Sequence, residues 1–186
     1  MSYSLPIETD RLTLRRYVEN DYDDLLKLQS NPDVTRFLLY DVRTPEQVTE
    51  ALTGRLADVP MDRDGQALTV AVVLRDTGQH LGEVTLFMNS VEQRTGELGY
   101  VFHPESHGHG YAAEASVELL RLGFEELGLH RIIARLEHRN TGSVKLLERL
   151  GLRQEAHFVQ NEFLKGEWTD ELVFAMLYSE WELRNS

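Results

Sequence analysis

The stretch from Val101 to Ala112 reads Val-Phe-His-Pro-Glu-Ser-His-Gly-His-Gly-Tyr-Ala. An alternating pattern ends at Phe102, Gly108 and Gly110 make a turn, and a helical pattern begins at Tyr111. Glycine lets backbone approach a ligand closely, and the first amides of a helix have no partner inside it. With the helix dipole, those amides make a site for pyrophosphate. A plain connection with capping glycines would read the same, so Gly-His-Gly alone leaves both readings open. A dinucleotide-binding fingerprint does not fit. Gly-x-Gly-x-x-Gly is incomplete here and falls late in the chain rather than after its first strand. No metal is expected at His103, His107 and His109. No carboxylate or cysteine set completes a site, and His107 and His109 fall inside the turn.

The elements around the turn must position it. Before it, Leu98, Tyr100 and Phe102 share one strand face, and Glu97, Gly99 and Val101 share the other. After it, Ala113, Val117, Leu120, Phe124 and Leu127 recur at helical spacing, and Gly128 closes the helix. Upstream, residues 12–15 alternate as a first strand. Asn20 or Asp21 can cap a helix through Ser30, with Leu25 and Leu28 on its buried side. Asn31-Pro32-Asp33 starts a short helix carrying Val34, Phe37 and Leu38. Thr44 and Pro45 open a helix to about Ala57. Strands near 68–74 and 80–88 flank the turn Asp76-Thr77-Gly78. Downstream, Ile132, Ala134 and Leu136 mark a strand, and residues 143–150 a helix ended by Gly151. Two further strands span about 153–164 and 169–177. Helices alternating with strands give an α/β, or α+β, fold, expected as one domain over 1–186.

Composition narrows the function. The 186 residues include no cysteine, which excludes disulfides, thiolate metal sites and a cysteine nucleophile. A net charge of −12 opposes nucleic-acid binding, which needs cationic side chains against phosphates. It would attract a cationic substrate, and it also serves plain solubility. Residues 1–10 lack a basic flank and an apolar core, so they do not read as a signal peptide. No apolar run approaches the roughly 20 residues that span a bilayer. A cytoplasmic location without membrane attachment is expected.

The chain resembles the GNAT acetyltransferases, and within them the ribosomal-protein N-terminal serine and alanine acetyltransferases. The residues carrying this are, in order, Glu8-Thr9-Asp10-Arg11-Leu12-Thr13-Leu14-Arg15, Asn31-Pro32-Asp33-Val34 and Glu97-Leu98-Gly99-Tyr100. Then follow Gly108-His109-Gly110-Tyr111-Ala112-Ala113-Glu114-Ala115, Gly128-Leu129-His130-Arg131-Ile132, Asn140-Thr141-Gly142-Ser143 and Lys145 through Leu152. The resemblance implies a mixed, mostly antiparallel sheet of about seven strands, with a splayed strand pair and flanking helices. It implies acetyl-CoA as cosubstrate, an amine acceptor and a homodimer. The coenzyme signature falls on His107, Gly108, His109, Gly110, Tyr111 and Ala112, with His107 where the family has Arg or Gln. Val101 and Phe102 would offer backbone groups to the pantetheine arm, and Asn140 would face it. Asn140 can equally be a helix N-cap.

Amide formation needs a deprotonated amine, a stabilised oxyanion and a protonated leaving thiolate. Many family members protonate the thiolate with a tyrosine seven residues past the asparagine, where this chain has Leu147. The resemblance points instead to Ser143. It places the general base at Glu162, with Glu97 as a second candidate and Asp170 as a turn residue. Arg36, Phe37, Tyr40 and Trp168 are expected to line the acceptor groove. The acceptor read from this resemblance is a protein N-terminal α-amine. A polyamine, aminoglycoside or amino acid is the alternative, and so is a domain that binds acetyl-CoA without catalysis.

Overall fold

The computed structural model describes residues 3–184. Met1 and Ser2, within the segment read as no signal peptide, and Asn185 and Ser186 lie outside the described residues. In chain order the elements are β1 (Ile7–Glu8), β2 (Leu12–Arg15), α1 (Tyr22–Gln29), α2 (Pro32–Thr35) and α3 (Pro45–Leu56). There follow β3 (Ala67–Leu74), β4 (His80–Ser90), β5 (Thr95–Phe102) and α4 (Tyr111–Arg121). The last are β6 (Arg131–Glu137), α5 (Thr141–Leu150), β7 (Arg153–Leu164), β8 (Glu167–Leu177) and α6 (Tyr178–Arg184).

Among the described residues the strands form one sheet in the order β1-β2-β3-β4-β5-β6-β8-β7. It has eight strands where the sequence suggested about seven, because the short β1 adds an edge. Every neighbouring pair is antiparallel except β5 and β6. That parallel pair is joined only where Thr95, Gly96 and Glu97 meet Arg131, Ile132 and Ile133. Beyond Glu97 the two strands part, and the splay opens between residues 98–102 and 134–137.

Two apolar clusters hold the layers. One face packs α4, α5 and α6 around buried Leu86, Leu98, Leu119, Phe124, Leu147 and Phe174. The other packs α1 and α3 through Leu25, Val48, Leu52, Ala71 and Val73. Each fully buried leucine removes enough surface from water to contribute about 2 kcal/mol.

Local chemistry sets several boundaries. Thr44 accepts from the Gln47 N–H, and Gln47 accepts from the Thr44 N–H, a reciprocal cap that starts α3 with Pro45 in its first turn. Asp21 does not cap α1. Its carboxylate turns back to the Val18 N–H at 2.8 Å and to Arg15, closing a 3₁₀ turn ahead of the helix. Asn31 caps α2 through the Asp33 N–H, but α2 ends at Thr35, so Phe37 and Leu38 follow it rather than sit on it.

The stripe expected from α4 onward holds at Leu120, Phe124 and Leu127, which are buried, and fails at Val117. Val117 is 37% exposed, whereas Ala115, Ser116, Leu119 and Leu120 are buried. The cause is a π turn over Leu122–Glu126, in which the Leu127 N–H bonds the Leu122 carbonyl five residues back. The extra residue advances the helix phase by about 100°, so a constant 3.6-residue period cannot connect Phe124 to Val117.

Candidate active site

A cavity of about 500 Å³ opens beside the splay. The outer edge of β5 contributes Tyr100, Val101 and Phe102. The glycine turn contributes His107, Gly108 and Gly110, and the first turn of α4 contributes Tyr111, Ala112 and Ala113. Facing them, α5 brings Ser143, Lys145, Leu146 and Arg149, with Asn140 just before it. Asp33, Val34, Phe37 and Leu38 form another wall, and Pro104, Ser106 and Gly142 complete the lining.

The turn is built to present backbone. Gly108 and Gly110 have φ of 80° and 81°, in the left-handed region that side chains disfavour. Gly110 is the N-cap of α4, and no side chain caps that helix. Its first amides therefore lack the usual side-chain oxygen partner, and the residues carrying them line the cavity. Lys145 and Arg149, one helical turn apart on α5, add positive charge opposite. Uncapped amides plus cations suit a pyrophosphate, and the apolar Phe37, Leu38 and Leu146 suit an extended aliphatic arm. These residues fit a coenzyme A thioester. Sequence reasoning missed Lys145 and Arg149 as site residues, although an i, i+4 cationic pair on the helix after Asn140 was visible.

At the inner end, Asn140 Oδ1 accepts from the Ser143 N–H at 3.1 Å, so Asn140 both caps α5 and lines the cavity. The Tyr100 hydroxyl donates to the Ser143 carbonyl at 3.4 Å, and burial pushes that hydroxyl up to about 12. The sequence puts Tyr100 on a strand face and in the Glu97–Tyr100 motif, but not among the site residues. Leu147 is fully buried in the core.

The other sequence-selected residues lie outside the cavity lining. His109 stacks on Tyr111 with ring centroids 5.5 Å apart. Arg36 is exposed, its guanidinium 5.1 Å from the Phe37 ring. Tyr40 lies under Arg43, and burial followed by the charge of Glu83 raises its hydroxyl to about 12. Trp168 is 60% exposed and meets Phe163 edge-on. His103 is buried beside His80, away from the turn. Among the described residues no group of three or more His, Asp or Glu side chains could hold a metal ion. None of their helices is long and apolar enough to cross a membrane.

Glu97 and Glu162 meet in a different place. Glu97 lies on the same β5 face as Val101, on the side of the sheet opposite Leu98. It accepts from Asn89 at 3.1 Å and lies 3.5 Å from Arg135. Glu162 is in β7, opposite Thr169. Between them the sequence reading overlooked Glu171, which is 5% exposed on β8. Burial first, then the charges of Glu162 and Glu97, raise the Glu171 carboxyl above its usual range, against Arg135 and a hydrogen bond from Asn161. Carboxylates from β5 and β7 thus converge on Glu171 of β8, on one face of the sheet.

Fold and cavity together define an acyltransferase that works on a coenzyme A thioester. Residues 11–153 match the acetyltransferase (GNAT) domain family. The chain belongs to the GNAT family and is an acetyl-CoA-dependent N-acetyltransferase. It is 31% identical over 175 residues to YnaD, an uncharacterised N-acetyltransferase of Bacillus subtilis, covering 94% of this chain and 98% of the relative. A GNAT acetyltransferase structure from Bacillus anthracis superposes with a TM-score of 0.85 at 28% identity, over 95% of this chain and all of that one. The ribosomal-protein branch is a more distant and partial match. The alanine acetyltransferase of ribosomal protein uS5 from Escherichia coli is 30% identical over 84 residues, 45% of this chain and 43% of its own. A spermidine N(1)-acetyltransferase from Vibrio cholerae is 29% identical over 110 residues, 59% of this chain and 64% of its own.

Proposed function

We propose that the enzyme acetylates a primary amine delivered to the Glu97–Glu162–Glu171 face, while acetyl-CoA enters from the opposite side through the splay. The observation carrying this is the convergence of the uncapped α4 terminus, Asn140, Ser143 and the β5 edge on one cavity. His107, Gly108, Gly110, Tyr111 and Ala112 bind the pyrophosphate, mainly through backbone, with His109 holding the turn between the two glycines. Val101, Phe102 and Asn140 guide the arm.

Bound acetyl-CoA supplies the electrophilic thioester carbonyl. Glu162, through a water, takes the proton that the acceptor ammonium must lose before its nitrogen can bond to carbon. Glu97 is the alternative base, with its carboxylate already engaged by Asn89 and near Arg135. A backbone N–H of Val101 or Phe102 stabilises the charge that develops on the carbonyl oxygen. Ser143 donates a hydrogen bond to the sulfur as the carbon–sulfur bond breaks, and the second proton that the nitrogen loses on forming the amide leaves with the departing thiol. Phe37 walls the cavity, and Arg36, Tyr40 and Trp168 border the acceptor's approach.

Two acceptors are consistent with this chemistry. The resemblance at Ser143 and Glu162 supports a protein α-amine, on an enzyme that is a homodimer in the cytoplasm. The acidic face supports a small polycationic amine such as a polyamine or aminoglycoside, because three neighbouring carboxylates attract more than one positive charge. CoA release measured against peptides beginning with serine or alanine, polyamines and aminoglycosides separates them. Turnover of peptides alone would remove the polycation reading. Turnover of polycations alone would remove the α-amine reading. Calorimetry showing no acetyl-CoA binding would remove both.

A further inference from the structure

We infer that Arg11, far from the cavity in sequence, is a positioning residue that holds the glycine turn in its coenzyme-binding shape. The proposal rests on the coenzyme reading of the cavity. Residues 107–110 have little that fixes them from within. Two of the four are left-handed glycines, and the helix they open has no side-chain cap. Such a segment loses conformational entropy on binding, and that loss weakens affinity unless it is met in the folded protein beforehand.

Arg11 supplies the fixing from the loop before β2. Its Nη1 donates to the His109 carbonyl at 3.0 Å, inside the turn. Its Nε and Nη2 donate to Glu114 Oε2 at 2.8 and 2.5 Å, in the first turn of α4. The guanidinium lies 4.7 Å from the Tyr111 ring centroid. One planar group therefore ties together the residue before Gly110 and the two helix positions after it. A Cβ on Gly110 would lie 3.6 Å from Arg11 Nη2, which shows how closely the clamp follows the cap. Thr9 locks the other carboxylate oxygen of Glu114 with a 2.5 Å hydrogen bond. Hydrogen bonds from Thr9 and Arg11 outweigh burial and keep Glu114 below the usual carboxylate range, so it stays charged for Arg11. Arg11 itself does not line the cavity. Its contribution is geometry rather than contact with phosphate.

Lysine cannot reproduce a fork that reaches a carbonyl and a carboxylate while stacking on a ring. The test compares wild type, Arg11→Lys and Arg11→Met. It reads CoA dissociation constants by calorimetry, steady-state kinetics, and amide hydrogen exchange of residues 108–113 without ligand. The expected result for Arg11→Met is faster exchange confined to that segment and a CoA Kd about tenfold higher, equivalent to ordering one or two groups. The KM for acetyl-CoA should rise with it, while kcat at saturation changes far less. Arg11→Lys should fall between, and it carries the test if Arg11→Met does not fold. Unchanged exchange with a CoA Kd within twofold of wild type would overturn the proposal. So would a loss of kcat and global stability in the same proportion as affinity. A wild type that binds no CoA would instead sink the coenzyme reading, and the exchange experiment would still report whether the clamp orders the turn.

Discussion

Asn161 donates its side-chain amide to Glu171 at 2.8 Å across a break in the β7–β8 ladder. Phe158 pairs with Glu171 and Glu162 with Thr169, so Val159, Gln160 and Asn161 together face Asp170 alone. Asp170 pins this bulge by accepting from the Gln160 N–H at 2.9 Å and from His157 at 2.7 Å. Gln160 sits at φ 49°, a strained value for a side-chain-bearing residue. Bulges beside active sites re-aim side chains, and this one turns Asn161 onto Glu171.

Replacing Glu171 by Gln should stabilise the protein at alkaline pH. A carboxyl whose proton affinity is raised by folding weakens the folded state above its folded pKa, and that penalty disappears below its unfolded pKa. The melting temperature of E171Q should therefore match wild type near pH 4 and exceed it by about 1–3 °C at pH 8. A lower value at pH 8 would mean that Glu171 is held by favourable charge contacts.

Glu162→Gln should lower kcat by about 100-fold, the usual contribution of a general base. The deficit should shrink as pH rises and the free amine becomes abundant. Glu97→Gln should cost much less. A reversal of that order in steady-state kinetics would move the base to β5.

Ser143→Ala should reduce kcat about tenfold or more with little change in CoA affinity, since the Asn140 cap uses the Ser143 backbone rather than its hydroxyl. Tyr100→Phe is the informative control. A larger loss in Y100F would make the Tyr100 phenol the donor to sulfur.

Gly110→Ala should destabilise the fold by about 1–2 kcal/mol in urea titration, because alanine must adopt a φ of 81°. CoA affinity should fall as well. Unaltered affinity would show that the turn is only a connection.

Lys145→Ala with Arg149→Ala should raise the CoA Kd about tenfold at low salt and flatten its salt dependence. An unchanged salt response would place the phosphates elsewhere.

Much of the fold was legible because its signals are local. Thr44-Pro45 with Gln47, Gly78, Gly128 and Gly151 each mark a boundary through a cap or a left-handed backbone. The π turn was not legible, since nothing in Leu122 to Glu126 announces a five-residue hydrogen bond, and it takes Phe124 out of phase with Val117. The cavity's glycine turn, Asn140 and Ser143 could be read because they are contiguous motifs. Glu171 could not, because its burial and its carboxylate neighbours come from β5 and β7, far apart in sequence. The role of Arg11 was hidden for the same reason, with Glu114 about a hundred residues away.

Among the described residues, three paired positions form the parallel ladder that joins β1 through β5 to β6, β8 and β7, with the His130 and Arg131 N–H groups bonding the Arg94 carbonyl at its start. Apart from the edge strand β1, held by two pairs, this is the shortest ladder in the sheet, so this seam is where the free enzyme should breathe. An extended ligand arm lying along residues 98–102 would act as a missing length of strand. Coenzyme binding would then be a repair of the sheet, and the enzyme would be more cohesive when loaded than when empty.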